Sequence, residues 1–372
     1  MTILVAGGAG YIGSHTIVEL LNANHKVVCV DNLFNSSIEA IKRVSQITNK
    51  SYCIKKKIYC VNETNSKCST CENNNLIFYE ADLLDKDFLF NIFDREKIDS
   101  VIMFAGYKAV GESVQKPLEY YYNNLISLMN LLEAMRKHNC FNIIFSSSAT
   151  VYGKPEFIPI TEEASRGEIT SPYGKTKGMI EDILIDMYES DKKWNIVLLR
   201  YFNPVGAHKT GLIGEDPKGI PNNLMPYIAQ VAIGKREKVL VYGNDYNTKD
   251  GTGVRDYIHV VDLAIAHVKA LNCFNEEAKI KIYNIGTGKG YSVLDVIKAY
   301  EKAANKKINY EIVDRRKGDV DILLCDPSKA KKELDFEAIY TIDDMCKDSF
   351  NFQNKNPNGY NKEESKIKMV FE

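Results

Sequence analysis

The sequence predicts an α/β protein, a doubly wound parallel sheet with a smaller C-terminal α/β domain behind it. Three observations point there. Short apolar runs without polar alternation, as in strands buried on both faces, recur at residues 2–6, 26–30, 76–82, 100–104, 142–146 and 195–201. Longer stretches with helical periodicity separate them. The first run passes straight into a glycine-rich turn and then an amphipathic stretch, residues 14–24, which is the opening of a Rossmann-type unit.

The turn reads Gly7-Gly8-Ala9-Gly10-Tyr11-Ile12-Gly13. Gly7, Gly10 and Gly13 make sense as a set: one for a tight turn, one for close approach of backbone to a pyrophosphate, one for packing helix on strand. The helix start then offers free amides and a partial positive charge to phosphate. The second strand ends at Asp31, 18 residues beyond Gly13, where a carboxylate accepts hydrogen bonds from a ribose diol. An acid there favours NAD over NADP, because it repels a 2′-phosphate.

The remaining elements follow in order. Residues 117–138 carry an apolar stripe at Leu118, Tyr121, Tyr122, Leu125, Leu128, Met129, Leu132 and Met135, and the stretch after Tyr173 repeats it at Met179, Ile180, Ile183, Leu184 and Met187. Beyond Asn203 the texture changes. Residues 204–223 are rich in Gly, Pro and Asn and read as extended loop, followed by helices at 224–233, 261–273 and 292–304 and strands at 239–242, 281–285 and 309–313. The expected division is a dinucleotide-binding domain over 1–202 and a second domain over 203–360, some of whose segments return to the first sheet. Residues 361–372, charged and poor in apolar side chains until Met369, read as a disordered tail.

Residues 47–75 read as a polar surface insertion. They hold Cys53, Cys60, Cys68 and Cys71, the last two in a C-x-x-C. The first pair is spaced too widely for a zinc knuckle and no histidine lies nearby, so no metal site is expected. Bulk composition excludes other classes. Basic and acidic residues, 48 against 49 in 372 residues, leave no footprint for nucleic acid. No apolar run is long enough to span a membrane and no signal peptide is evident. Nine cysteines, an odd count, fit a reducing compartment, so a cytoplasmic protein is expected.

Tyr173 and Lys177 carry the chemistry. A tyrosine ordinarily keeps its proton to about pH 10. Four residues apart on a helix the two side chains share a face, so the ammonium can favour the phenolate and make a base near neutrality. Y-x-x-x-K alone is common; here it accompanies a dinucleotide site.

Gly7–Gly13, Asp31 and the Tyr173/Lys177 pair together resemble the extended short-chain dehydrogenase/reductase family. Longer blocks at 104–121, 146–153, 199–207, 219–227 and 250–259, among them Ser146-Ser147-Ser148-Ala149-Thr150 and Leu199-Arg200-Tyr201-Phe202-Asn203, are similar to UDP-glucose 4-epimerases within it. The resemblance implies oxidation of a UDP-hexose at C4 to a 4-keto sugar and its reduction from the opposite face, with tightly held NAD regenerated in each turnover. Tyr173 then takes the 4-hydroxyl proton, Ser148 hydrogen-bonds the 4-oxygen, and Lys177 tunes Tyr173 and binds the nicotinamide ribose.

It further implies cofactor contacts from the backbone at Tyr11 and Ile12. Asp31, Asn32, Leu33, Phe34, Asn35 and Ser36 surround the adenosine ribose, and Asp82 and Leu83 lie by the adenine. Phe104, Ala105, Gly106, Tyr107 and Lys108 line the phosphate side with Asn123, and Phe202 lies against the nicotinamide. For the UDP-sugar it implies Arg255 and Arg316 on the diphosphate, Asn203, Asn223 and Leu224 at the sugar and first phosphate, and Leu240, Val241 and Tyr242 as a uracil slot. Tyr257 reaches the substrate and Asp319 the uridine ribose. His259 reads as structural. Leu323 stands where the family walls the pocket beside the sugar 2-substituent, and a wall smaller than tyrosine extends the expectation to UDP-GlcNAc and UDP-GalNAc. A homodimer through 117–138 and 173–189 is also implied. The alternatives are a sugar-nucleotide dehydratase, which needs an acid pair where Ala149 and Thr150 stand, and a catalytically silent NAD-binding protein, which has no need of Tyr173 or Lys177.

Overall fold

Apolar runs without alternation form strands that are buried on both faces. In the computed structural model, which describes residues 1–56, 74–275, 277–316 and 319–360, the strands are β1 (Thr2–Ala6), β2 (Lys26–Asp31), β3 (Tyr52–Lys56), β4 (Leu76–Glu80), β5 (Ser100–Met103), β6 (Asn142–Ser148), β7 (Asn195–Tyr201), β8 (Asn203–Val205), β9 (Val239–Tyr242), β10 (Val254–His259), β11 (Ile280–Ile285), β12 (Gly290–Ser292), β13 (Tyr310–Val313) and β14 (Ile322–Leu323). The helices are α1 (Tyr11–Asn22), α2 (Ile38–Thr48), α3 (Lys86–Arg95), α4 (Val110–Gln115), α5 (Pro117–Lys137), α6 (Pro172–Ser190), α7 (Leu224–Ala232), α8 (Val260–Ala270), α9 (Val293–Ala304), α10 (Ser328–Leu334) and α11 (Ile342–Lys355).

Eight strands form one parallel sheet in the order β11-β7-β6-β5-β1-β2-β4-β3. Alternation along β1 shows why helices cover both sides. Ile3 and Val5 enter one core with Ile17 and Leu20 of α1 and Leu263 of α8; Leu4 and Ala6 enter the other with Leu128 and Leu131 of α5 and Ile180 and Leu184 of α6. The chain leaves β1 for β2 on one side and reaches β5 on the other. The crevice outside the C-terminal ends of β1 and β5 is therefore the switch point where open α/β sheets take ligands. A third core joins α7, α9, α11 and the β9/β13 pair. Between it and the large sheet lies β10, flanked by β12 and β14, with β8 alongside it.

Two elements differ from the sequence reading. The segment read as an insertion over 47–75 begins as ordinary fold: α2 runs to Thr48, and Tyr52–Lys56 is the outermost strand, paired with β4. Its lysines disguise it, yet charge suits a sheet edge; Lys55 Nζ donates to Tyr79 Oη at 2.8 Å and to Glu96 Oε1 at 3.0 Å. Residues 204 and 205, read as the start of a loop, join Asn203 in β8. Residues 281–285, read as a strand, lie in β11, which extends the large sheet beside β7. Cys60, Cys68 and Cys71, on which the zinc reading turned, and the tail from 361 lie outside the described residues. No helix among the described residues is long and apolar enough to cross a membrane.

Candidate active site

The crevice is built by backbone. Gly7 ends β1 with φ +78°, a left-handed conformation that glycine adopts without strain. A Cβ on it would lie 2.6 Å from Ala105 N, so the turns after β1 and β5 touch only because Gly7 has no side chain. A Cβ on Gly13 would meet Gly7 O at 2.5 Å, fixing how closely α1 approaches. The N-cap of α1, Gly10, makes no side-chain cap, and no acid stands in the first turn. The amides at the start of the helix thus keep their capacity for an anion.

Asp31 closes β2 with 8% exposure. Its Oδ2 accepts from Ala9 N at 3.0 Å, and its Oδ1 from Leu33 N at 2.9 Å and Ser36 Oγ at 2.8 Å. Burial pushes the carboxyl up, and those hydrogen bonds work against the rise. Asn32 Nδ2 donates to Asp82 Oδ2 at 2.9 Å, joining the ends of β2 and β4. Phe34 and Asn35 are exposed, and the Phe34 ring lies 5.2 Å from that of Tyr107. On the β5 side, Tyr107 N donates to Asn124 Oδ1 at 2.8 Å, as does Asn123 Nδ2 at 3.0 Å, while Asn124 Nδ2 donates to Thr176 Oγ1 at 3.0 Å. Asn124 thereby ties the loop after β5 to α6.

α6 starts on a Ser171 cap, with Pro172 next to it. Tyr173 and Lys177 share its inner face. Lys177 Nζ donates to Ser146 O at 2.6 Å and lies 4.7 Å from the Phe145 ring centre and 5.9 Å from that of Tyr173. Ser148, the last residue of β6, accepts from Thr150 N at 3.2 Å, and its hydroxyl lies close enough to the Tyr173 phenol to favour the phenolate. Burial pushes Tyr173 up to about 12, with the Ser148 hydrogen bond lowering it. Burial pushes Lys177 down to about 8, with the Glu181 carboxylate opposing. In the protein alone the ammonium is turned to a carbonyl, and desolvation dominates both groups.

The other wall comes from β10. Tyr257, buried, pairs in register with Asn203, the residue after Phe202, and burial pushes its phenol up to about 12. Arg255 pairs with Leu323 of β14. Leu323 packs against a cluster that includes Ala149, Val151, Tyr152 and Phe202, which brings β14 toward the turn after Ser148. Asp319 lies between two arginines, 3.8 Å from Arg255 Nη2 and 3.1 Å from Arg316 Nε. The Arg316 guanidinium sits 4.7 Å over the Tyr242 ring. Along β9, Leu240 and Tyr242 face outward whereas Val241 is in the third core, so Val241 offers the site only backbone. Asn223 caps α7, which begins at Leu224, and its Nδ2 donates to Glu215 Oε1 at 2.9 Å. His259 is fully buried and accepts from Val261 N at 3.0 Å, capping α8 as a structural residue would.

The segment between β8 and α7 is tied to the crevice. Tyr11 Oη donates to Gly206 O at 2.7 Å, and Lys108 Nζ lies 3.2 Å from Glu215 Oε1. Lys218 Nζ donates to Leu33 O at 2.9 Å and Phe34 O at 2.7 Å. Sequence reasoning missed Asn124, Glu215, Lys218, Glu181 and Arg200. Only Glu181 left a signal, the next i+4 step after Lys177; the others act through partners remote in the chain.

A glycine-lined crevice at a topological switch point, with serine, tyrosine and lysine meeting at its edge, defines an extended short-chain dehydrogenase/reductase. Residues 4–349 match the family model described as GDP-mannose 4,6 dehydratase. UDP-glucose 4-epimerase of Bacillus subtilis (strain 168) is 54% identical over 360 residues, covering 97% of this chain and 99% of that protein. That of Drosophila melanogaster is 53% identical over 367 residues, covering 96% and 98%. The crystal structure of UDP-glucose 4-epimerase from Bifidobacterium longum in complex with NAD+ and UDP superposes with a TM-score of 0.88 at 53% identity, covering 96% of this chain and all of that one (100%). The chain belongs to the UDP-glucose 4-epimerase family.

Proposed function

We propose that the protein interconverts UDP-glucose and UDP-galactose by NAD-dependent epimerisation at C4. The observation that carries this reading is the meeting of Ser148, Tyr173 and the buried Lys177 at the edge of a crevice whose β2 strand ends in Asp31. The crevice fits NAD: the uncapped start of α1 suits a pyrophosphate, the Gly7 and Gly13 turn leaves it room, and Asp31 suits a ribose diol. When bound, NAD supplies a hydride acceptor and donor for C4.

The protein's residues do the rest. The Tyr173 oxygen takes the proton of the sugar 4-hydroxyl as C4 is oxidised, and Ser148 holds the 4-oxygen. After the 4-keto sugar has turned in its pocket, Tyr173 returns the proton to the same oxygen. Lys177 supplies positive charge beneath the phenol and a donor for the nicotinamide ribose. Residues 1–202 hold the dinucleotide, with Gly10, Tyr11, Ile12, Asp31 to Ser36, Asp82, Leu83, the loop Phe104–Lys108, Asn123 and Phe202 at its contacts. Residues 203–360 hold the UDP-sugar, with Arg255 and Arg316 on the diphosphate, Leu240 and Tyr242 at the uracil, and Asn203, Asn223, Leu224, Tyr257 and Asp319 around the rest. The family model's name points to dehydration, but the two residues after Ser148 are Ala149 and Thr150, which carry no proton for eliminating water.

The test is direct. Purified protein incubated with UDP-galactose, without added NAD, is expected to form UDP-glucose; no product would refute the reading. Leu323, packed against the cluster that holds Phe202, leaves more room than a tyrosine, so UDP-GalNAc is a second substrate. Leu323→Tyr is expected to lower the ratio of UDP-GalNAc to UDP-galactose turnover by about 10- to 200-fold. An unchanged ratio, or a native protein inactive on UDP-GalNAc, removes this extension.

The protein acts as a homodimer. Val110 and Val114 of α4, Leu118, Tyr122 and Met129 of α5, and Met179 of α6 are all more than 40% exposed, Leu118 at 75%. An apolar face this broad on neighbouring helices suits a copy of itself. In sedimentation velocity the native chain is expected to run as a dimer and Leu118→Glu/Tyr122→Glu as a monomer. The odd cysteine count supports the cytoplasm as its compartment.

A further inference from the structure

One helical turn beyond Lys177, Glu181 is a fully buried carboxylate that the reaction as described does not use. Arg200 of β7 grips it through two bonds, Nε to Oε1 at 3.0 Å and Nη2 to Oε2 at 2.7 Å. Arg166 Nη2 lies 3.2 Å from Oε2, and Ser147 Oγ donates to Oε1 at 2.5 Å. Arg200 also donates to Tyr152 Oη at 2.9 Å, and Tyr152 in turn donates to Asn284 Oδ1 at 2.6 Å.

Placement gives this cluster its meaning. Ser147 stands between Ser146, whose carbonyl holds the Lys177 ammonium, and Ser148, whose hydroxyl lies by the Tyr173 phenol. Tyr152 lies in the cluster that packs against Leu323 and Phe202. We propose that Glu181 is a positioning residue for the epimerisation: pinned by Arg200, it locks the end of β6 against α6 and places a negative charge beneath the Lys177 ammonium. This rests on the catalytic reading of Tyr173 and Lys177.

Neutral packing would cost less than a buried ion pair, so an ion pair here calls for a reason, and the field at Lys177 supplies one. The titratable and polar groups around that ammonium lie on α6 and on the elements packed against it, and Arg166 adds a second cation beside Glu181. From α6 come Tyr173 and Glu181. From β6 come the Ser146 carbonyl and the Phe145 ring, and from β7 Arg200 and Tyr201, whose hydroxyl bonds His267 Nε2. From α4 and α5 come Glu112 and Tyr120, bonded to each other at 3.0 Å, and the neutral Asn124. Glu181 is the acid whose charge opposes the fall of Lys177 to about 8. Without it, Lys177 gives up its proton at lower pH.

The experiment is the pH profile of kcat for the NAD-loaded enzyme on UDP-galactose, comparing native protein with Glu181→Gln and Glu181→Asp. The alkaline limb is expected to move to lower pH in Glu181→Gln, so that the ratio of kcat at pH 9 to kcat at pH 7 falls about tenfold, one unit of displacement, and to move back in Glu181→Asp. If Glu181→Gln leaves Arg200 unpaired and does not fold, the double variant Glu181→Gln/Arg200→Met removes both charges. It is expected to show the same displacement in smaller measure. A uniform loss at every pH, with the limb unmoved in whichever variant folds, would overturn the proposal in favour of a purely structural ion pair. A native enzyme inactive on UDP-galactose would instead overturn the catalytic reading beneath it.

Discussion

Tyr173→Phe is expected to lower kcat by about 10²- to 10⁴-fold, the usual worth of a positioned general base. The substitution deletes one oxygen and leaves the ring. Neither neighbour can replace that oxygen: Ser148 is a neutral hydroxyl already accepting from Thr150 N, and Lys177 is a cation turned to the Ser146 carbonyl. Tyr173 reaches about 12 in the protein alone. The working enzyme must therefore lower it with positive charge, from Lys177 and from the oxidised nicotinamide. Because the phenolate is the active form, native kcat is expected to fall as pH drops below the phenol's operating pKa. The residual activity of Tyr173→Phe should lack that limb. Full turnover by a folded, NAD-containing Tyr173→Phe protein would end the assignment of the base.

Lys177→Met is expected to have two opposite effects. It lowers kcat by about 10²-fold or more, since the phenolate loses its nearest cation. It also stabilises the cofactor-free protein. Lys177 falls from 10.5 to about 8 on folding because burial disfavours its charged form. Below pH 8 both states carry the proton and the folded state bears the full cost of burying it. Between pH 8 and 10.5 the unfolded chain binds more protons than the folded one, so stability rises with pH across that window as the cost is relieved. That cost is on the order of 3 kcal/mol at neutrality, offset in part by the bond to Ser146 O. Methionine keeps the length without the charge. Scanning calorimetry of cofactor-free protein should show Lys177→Met melting a few degrees above native at pH 7, with the gap closing toward pH 10. A gap that widens with pH would contradict the linkage.

What the sequence disclosed and what it concealed divide along the distance between interacting residues. β1, the Gly7–Gly13 turn, α1 and Asp31 were legible because each constraint acts within about one supersecondary unit. Tyr173 and Lys177 were legible because helical geometry fixes an i+4 pair in advance. β10 was not: Val254-Arg255-Asp256-Tyr257-Ile258-His259 is half polar, and Asp256 is buried only because Thr287, Gly288 and Cys325 converge on it. β3 was mistaken for a surface excursion since its lysines suit an edge. The electrostatics at Tyr173 were only half legible for a related reason. Spacing places two side chains on one face, but burial by β6 and β7 decides their proton affinities, and burial is a property of the assembled sheet.

The cross-links from the segment between β8 and α7 bear on how such an enzyme relates to metabolism. Lys218 bridges to the carbonyls of Leu33 and Phe34, Tyr11 to Gly206, and Lys108 to Glu215, so the segment is fastened at both ends of the dinucleotide crevice. Were a coenzyme to lie beneath this segment, its release would require several fastenings to open together, and turnover would then be insensitive to whether the surrounding pool of free nicotinamide is reduced or oxidised.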